Sequence, residues 1–211
     1  MDLYMADGGT YRRRRFAAMR VWAGMIARKP HQPHYQSRDY NPLNGGVERW
    51  FKPVTDSATD STFTRSILGF CQTVFDALGP ERASPNAWHV EMHQFRIEAN
   101  SGQVGRPTPE GRHRDGVDWV RVMLVNRQNV LSGVTQIFDV HGAPLGQFTL
   151  SDPMDTVFLD DSRVLHGVTP IEPMNSRDKA IRDVLVLTFR HEISNKIDPP
   201  ERPNPTNDVS S

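Results

Sequence analysis

Apolar positions change their spacing along this chain. In residues 11–29, YRRRRFAAMRVWAGMIARK, Phe16, Met19, Ala23 and Ile26 recur at helical intervals, which predicts a helix ended by Pro30. Residues 31–54, HQPHYQSRDYNPLNGGVERWFKPV, are rich in turn formers and read as a loop with short extended pieces. A second helix follows. Asp60 or Ser61 caps it, Phe63, Ile67, Phe70, Val74 and Leu78 share a face, and Gly79-Pro80 stops it. From residue 86 the texture becomes β-like. WHVEMHQFRI alternates, WVRVMLV is aromatic and branched, and SGVTQIFDV, DTVFLDD and RDVLVLTF follow between Gly, Pro, Asn and Asp. No further helix is expected among these short strands, which suggests a sandwich or small barrel. The expected organisation is one domain over 1–197, helical over 1–85 and β-rich over 86–197. The Pro-rich polar tail at 198–211 reads as disordered or laid on the surface.

Composition narrows the function classes. The 211 residues suffice for one sizeable core. Lys+Arg and Asp+Glu both total 25, so the formal net charge is zero, which argues against a general binder of nucleic acid or membrane surface. One cysteine, Cys71, excludes an internal disulfide and fits a reducing compartment; on a buried helix it reads as a small apolar residue. The first ten residues show no apolar leader and no run has the length of a membrane span, so the expectation is a cytoplasmic protein. The run Arg12–Arg15 reads as a solvated helix start with one or two ion pairs, and Met19, Trp22 and Met25 as core.

The stretch GRHRDGVDW, residues 111–119, carries the candidate chemistry. On a strand, His113 and Asp115 point to one side and Arg114 to the other. His166, 166 − 115 = 51 residues on, stands just after an apolar strand and supplies a third donor. Two histidines and one carboxylate on one face of a metal leave positions open, the pattern of non-haem Fe(II) oxygenases. H-x-D by itself is a weak signal, and His166 has a structural reading too. His89, Glu91 and His93 are a competing set, but three donors from one strand lie too nearly in a row. His31 and His34 are loop histidines with a possible metal role. A keto-acid bound at the open positions needs a buried cation for its far carboxylate, and Arg182, at the start of a β segment with Val184, Val186 and Thr188 on its face, is the candidate. Its alternative role is an exposed strand end paired with Asp183 or Asp178. Arg177 and Arg190 are lesser candidates.

The strings PTPEGRHRDGVDWV at 107–120 and VFLDDSRVLHGVTPI at 157–171, with NPLNGG at 41–46 and YRRRRF at 11–16, resemble the Fe(II)/2-oxoglutarate dioxygenases, in the branch of L-isoleucine dioxygenase and BsmA-like proteins. The resemblance runs through most of the chain. It implies a mainly β fold: a double-stranded β-helix (jelly roll, cupin-like) core with N-terminal helices packed on one side. It implies iron ligands His113, Asp115 and His166, with Arg182 as the 2-oxoglutarate anchor. The spacing 182 − 166 = 16 is longer than in many relatives and keeps Arg177 open as the anchor. The implied cofactors are Fe(II) and 2-oxoglutarate as co-substrate with O₂. The implied activity is hydroxylation of an aliphatic C–H of a small substrate, a free L-amino acid, whose zwitterion Arg96 or Gln94 and Glu110 or Asp118 would meet. The rival reading is a non-enzymatic stress or biofilm protein on the same metal-binding scaffold.

Overall fold

The stretch predicted as the first helix is a β-hairpin. In this computed structural model, which describes residues 9–41, 43, 45–78 and 87–192, β1 (Arg12–Trp22) turns through Ala23-Gly24 into β2 (Met25–Arg28). Both turn residues have positive φ, 45° and 77°, as a two-residue hairpin of right-handed twist requires. Arg, Ala and Met are good helix formers, yet here β1 pairs along its whole length with β4 (Ala87–Ala99), and that pairing overrides propensity. Four successive residues, Phe16–Met19, are buried, so both faces of the strand are covered and its alternation is hidden from a sequence reading.

The remaining elements are β3 (Lys52–Pro53), α1 (Asp56–Thr59), α2 (Thr62–Leu78), β5 (Trp119–Gln128), β6 (Thr135–Asp139), β7 (Pro144–Phe148), β8 (Thr156–Asp160), β9 (Val164–Val168) and β10 (Ala180–His191). The fold is mainly antiparallel β. A seven-stranded sheet runs β2-β1-β4-β10-β5-β8, with β3 alongside β1, and a three-stranded sheet runs β7-β6-β9. Thus the predicted N-terminal helix is replaced by strands of the main sheet, and helix among the described residues is confined to 56–78. The short strands β2, β7 and β9 lie outside the sequence expectation, while β3 is one of the short extended pieces expected in 31–54. Gly79-Pro80 and the tail 198–211 lie outside the described residues.

Strand parity divides the main sheet into two working faces. Ala17, Met19 and Val21 of β1, Trp88, Val90 and Met92 of β4, and Leu185, Leu187 and Phe189 of β10 pack with Leu68, Cys71 and Phe75 of α2 in the largest core cluster. Phe75 stacks on Trp119 at 5.0 Å between centroids and meets Phe189 edge-on at 4.9 Å. Ser61 caps α2, its Oγ accepting the Thr64 N–H at 3.2 Å. The buried stripe of α2 is Thr64, Leu68, Cys71, Gln72 and Phe75, one residue out of phase with the predicted one. Phe63, Phe70 and Leu78 are exposed, while Ile67 and Val74 are half-buried. Met19 is core as expected, whereas Met25 is exposed. Burial pushes the Cys71 thiol up to about 12, against a small opposing effect of Arg121, which fits an inert apolar residue. No helix among the described residues is long and apolar enough to cross a membrane. The other face of the sheet, one residue out of register, carries the cavity.

Candidate functional site

That face presents Arg12 and Arg14 from β1, Glu91, His93 and Phe95 from β4, and Arg182, Val184 and Val186 from β10 to a cavity of about 270 Å³. Its volume suits a small molecule. Segments 34–41 and 107–117 and strand β9 close it from the opposite side.

His113 and His166 meet through their backbones. The N–H of each donates to the carbonyl of the other at 2.9 Å, a single antiparallel bridge that sets the two rings side by side, 4.5 Å between centroids. The stretch around His113 is therefore extended but is not a strand of its own. Asp115, two residues on, shares the His113 side, as the i, i+2 reading requires. Its Oδ1 lies 3.8 Å from His113 Nε2 and its Oδ2 lies 3.7 Å from His166 Nε2. These separations exceed a hydrogen bond. They suit donor atoms that each stand about 2.1 Å from one central ion and so about 3–4 Å from one another.

The backbone around Asp115 is held from behind. The buried Asp161 carboxylate accepts the N–H groups of Asp115 at 3.0 Å, Gly116 at 2.8 Å and Val117 at 3.1 Å. Gln36 donates to the Asp115 carbonyl at 3.1 Å and is itself oriented by Asn41. Gly116 has φ +79°, and a Cβ there would stand 2.5 Å from the Tyr40 ring, so the turn admits glycine alone.

The electrostatics around His113 favour positive charge. His113 Nδ1 lies 3.1 Å from the Gly111 carbonyl; a proton there leaves Nε2 a free lone pair. Burial lowers the His113 pKa, but Asp115, Glu110 and the Gly111 carbonyl outweigh it and leave it raised. His166 is pushed down to about 3 by burial and by His113, so its ring is neutral. The donor set, two imidazoles and a carboxylate on one side, fits Fe(II). The donor atoms of His113, Asp115 and His166 all lie within 4.8 Å of one another.

Arg182 occupies the end of the cavity. It is 2 % exposed, and its Nε and Nη2 have no hydrogen-bond partner among the described residues. Burial and the neighbouring Arg127 push it down to about 10. Two unspent donors on a planar fork are what a carboxylate needs. Arg177 and Arg190 are exposed, so Arg182 alone of the three candidates is buried in the cavity.

A second His/Glu group lines the same cavity: His34, Glu91 and His93. Two members of the competing strand set, Glu91 and His93, fall in this group, with His34 from the loop in place of His89. This group is already closed by hydrogen bonds. His34 Nδ1 meets Glu91 Oε2 at 2.9 Å and His93 Nε2 meets it at 3.4 Å. Arg14 Nη2 donates to the outer nitrogen of His93 at 2.8 Å, which puts the His93 proton on the side of Glu91. Burial raises the Glu91 pKa, yet the histidine hydrogen bonds overcome it and hold Glu91 well below the usual carboxylate range. A dication here would break these bonds and face a guanidinium.

Of the residues expected to meet a zwitterion, Glu110 alone faces the cavity. Arg96 makes a two-pronged pair with Asp183 on the other face, both bonds at 2.7 Å; Gln94 lies there too. Asp118 accepts the His191 N–H. His31 is exposed beside Trp50. Asp161, Gln36, Arg14 and Arg49 were missed as site residues. Asp161 has a visible signal in the doublet before S-R-V-L-H, and Arg14 has one in the run Arg12–Arg15, which the helix reading assigns to solvent.

The family model for 2OG-Fe dioxygenase matches residues 1–188. The chain belongs to the 2OG-Fe dioxygenase family. This family of oxygenases uses Fe(II) and 2-oxoglutarate. The chain is 27% identical over 160 residues to L-isoleucine-4-hydroxylase of Bacillus thuringiensis, covering 75% of this chain and 65% of that protein. It is 24% identical over 162 residues to 3(1)-hydroxy-L-isoleucine 4-dioxygenase of Pantoea ananatis (strain AJ13355), covering 75% and 64%. The chain thus spans just under two thirds of the length of these curated relatives. The crystal structure of a BsmA homologue from Methylobium petroleophilum PM1 superposes with a TM-score of 0.79 at 38% identity, covering 90% of this chain and 75% of that one.

Proposed function

We propose that this chain is an Fe(II)- and 2-oxoglutarate-dependent dioxygenase that hydroxylates an aliphatic C–H bond of a small substrate, a free L-amino acid. The observation that carries this reading is the convergence of the His113, Asp115 and His166 donor atoms within 4.8 Å, in one cavity with the unspent guanidinium of Arg182. The names of the relatives supply the substrate class. We read the two sheets as a double-stranded β-helix and 1–197 as one catalytic domain. A cytoplasmic location belongs to the same proposal and rests on the lone free thiol of Cys71.

His113, Asp115 and His166 would hold Fe(II), the histidines neutral and the carboxylate ionised. Bound there, Fe(II) supplies the activation of O₂, coupled to decarboxylation of 2-oxoglutarate to succinate and CO₂, that oxidises the substrate C–H. Arg182 pairs with the far carboxylate of 2-oxoglutarate and fixes its orientation. Val122, Val168, Val184 and Val186 keep the cavity wall apolar and water out. Asp161 keeps the Asp115 turn from moving away.

The test is an anaerobic titration of Fe(II)-loaded protein with 2-oxoglutarate, followed by a screen of aliphatic L-amino acids for succinate release in air. The expected result is a visible charge-transfer band from a bidentate keto-acid, and succinate with at least one amino acid. Bound metal without a band overturns the reading. A band with silence across the screen moves the substrate to another small acid.

A further inference from the structure

Three arginines on the β1 side of the cavity have no part in the chemistry above. Arg12 and Arg14 face it from β1, and Arg49 faces it from the segment that bridges His34. Arg13 and Arg15 point to the other face, where Arg13 pairs with Glu98 at 3.3 Å and Arg15 donates to the Pro53 carbonyl at 3.0 Å. Among the described residues, none of Arg12, Arg14 and Arg49 has a carboxylate oxygen within 4.0 Å. Two phenylalanines hold them by their faces. Arg14 lies 4.2 Å from the Phe51 centroid and 4.8 Å from that of Phe95; Arg12 lies 5.7 Å from Phe95 and Arg49 lies 5.8 Å from Phe51. Stacking of this kind fixes a guanidinium without spending its N–H groups. The buried Arg49 Nε has no hydrogen-bond partner among the described residues. Burial and neighbouring arginines lower the pKa of both Arg14 and Arg49, and they outweigh the opposing effects of Glu91 on both, Asp115 on Arg14 and Glu110 on Arg49.

Glu110 is the complement. Its side chain is 8% exposed, its Oε1 lies 3.7 Å from His113 Nε2, and its buried Oε2 has no hydrogen-bond partner among the described residues. Its segment is anchored by Thr108, whose Oγ1 exchanges hydrogen bonds with the Val168 backbone at 3.1 and 3.0 Å. A buried carboxylate oxygen with no donor calls for a cation. Glu91, the other carboxylate of this wall, is occupied by its histidines. Among the described residues, one small cavity therefore holds unspent guanidinium donors on Arg12 and Arg49, with Arg14 committed to His93, and an unspent carboxylate acceptor on Glu110.

We infer that Arg12 and Arg49 form the carboxylate subsite, with the His93-bound Arg14 adding positive charge beside them, and Glu110 the ammonium subsite, of a clamp for the zwitterionic head of an α-amino acid. This rests on the function proposed above and assigns residues to its substrate. The clamp rejects a ligand that lacks either charge, because the partner group is then left buried and unpaired.

The experiment uses the anaerobic Fe(II)·2-oxoglutarate holoprotein and three probes: L-isoleucine, 3-methylpentanoic acid without the ammonium, and L-isoleucinamide without the carboxylate. Binding is read by calorimetry and by the shift of the charge-transfer band, with the other aliphatic L-amino acids as further probes. The amino acid should bind at least tenfold more tightly than either analogue. Arg49→Gln should remove the preference over the amide, and Arg49→Lys should restore part of it. Glu110→Gln should shrink the preference over the des-amino acid to less than twofold. Arg12→Gln replaces Arg49→Gln if that variant does not fold. Equal binding of the three probes, discrimination unchanged in the variants, or no response to any amino acid overturns the clamp. Failure of the band to form overturns the proposed function instead; calorimetry with the same probes reads the clamp independently of that band.

Discussion

The two His/His/carboxylate groups of the cavity have the same inventory and opposite states. In His113, Asp115 and His166 the Asp115 oxygens stand 3.7 and 3.8 Å from the inner histidine nitrogens, too far to bond them. In His34, Glu91 and His93 the first contact has closed to 2.9 Å, and Arg14 is bonded to His93 from outside. The difference lies in what stands behind each group. A backbone carbonyl behind His113 fixes its tautomer and leaves the inner nitrogen a lone pair, whereas a guanidinium behind His93 consumes a lone pair and turns a proton inward. Residue types select candidates for a metal; the outer hydrogen bonds decide which candidate is open.

The comparison breaks most readily at its strongest point. His166→Ala or Asp115→Ala should abolish the Fe(II)·2-oxoglutarate band and weaken Fe(II) binding beyond the ~100-fold typical of losing a supporting residue; a retained band in either variant overturns the ligand assignment. Arg182→Ala should weaken 2-oxoglutarate about 100-fold, ~3 kcal/mol for a buried charged pair, while Arg177→Ala changes it less than about twofold. Titration of the band separates these two arginines, and an unchanged affinity in Arg182→Ala refutes the anchor. Asp161→Asn should weaken Fe(II) roughly 10–100-fold by loosening the Asp115 turn, read by metal titration with a competing chelator. The smallest effect sharpens the contrast. His34→Ala should cost about 1–3 kcal/mol of stability in denaturant unfolding, since it leaves Glu91 short of a donor. Metal content should stay at one ion per chain. Two ions in the wild type and one in the variant would show that the second group also holds a metal.

Much of the site was legible because its signal is local. H-x-D followed by glycine needs only an extended backbone to put both side chains on one side, and Arg182 with Val184, Val186 and Thr188 needs only strand alternation. β4, β5 and β10 announce themselves by β-branched and aromatic residues. The errors share another cause. β1 was read as a helix because Phe16–Met19 are buried on both faces, which erases the period that separates strand from helix. That error also hid the Arg12–Arg15 run: on a helix it is a charged start, whereas on a strand Arg12 and Arg14 enter the cavity and Arg13 and Arg15 leave it. In α2 the apolar positions supported two stripes one residue apart, and packing of Phe75 against Trp119 and Phe189 chose between them.

By itself, the sequence determined the donor types, the spacing of His113 and Asp115, the buried-cation candidate and the β-rich second half, because each depends on residues within a few positions of one another. Tertiary structure alone decided that the His113 and His166 backbones pair, that Asp161 grips the Asp115 turn, and that His34 closes on Glu91. It also decided that four neighbouring arginines divide between two faces of a sheet. Those outcomes depend on contacts between segments tens of residues apart, where register and burial, rather than local preference, fix which atoms meet.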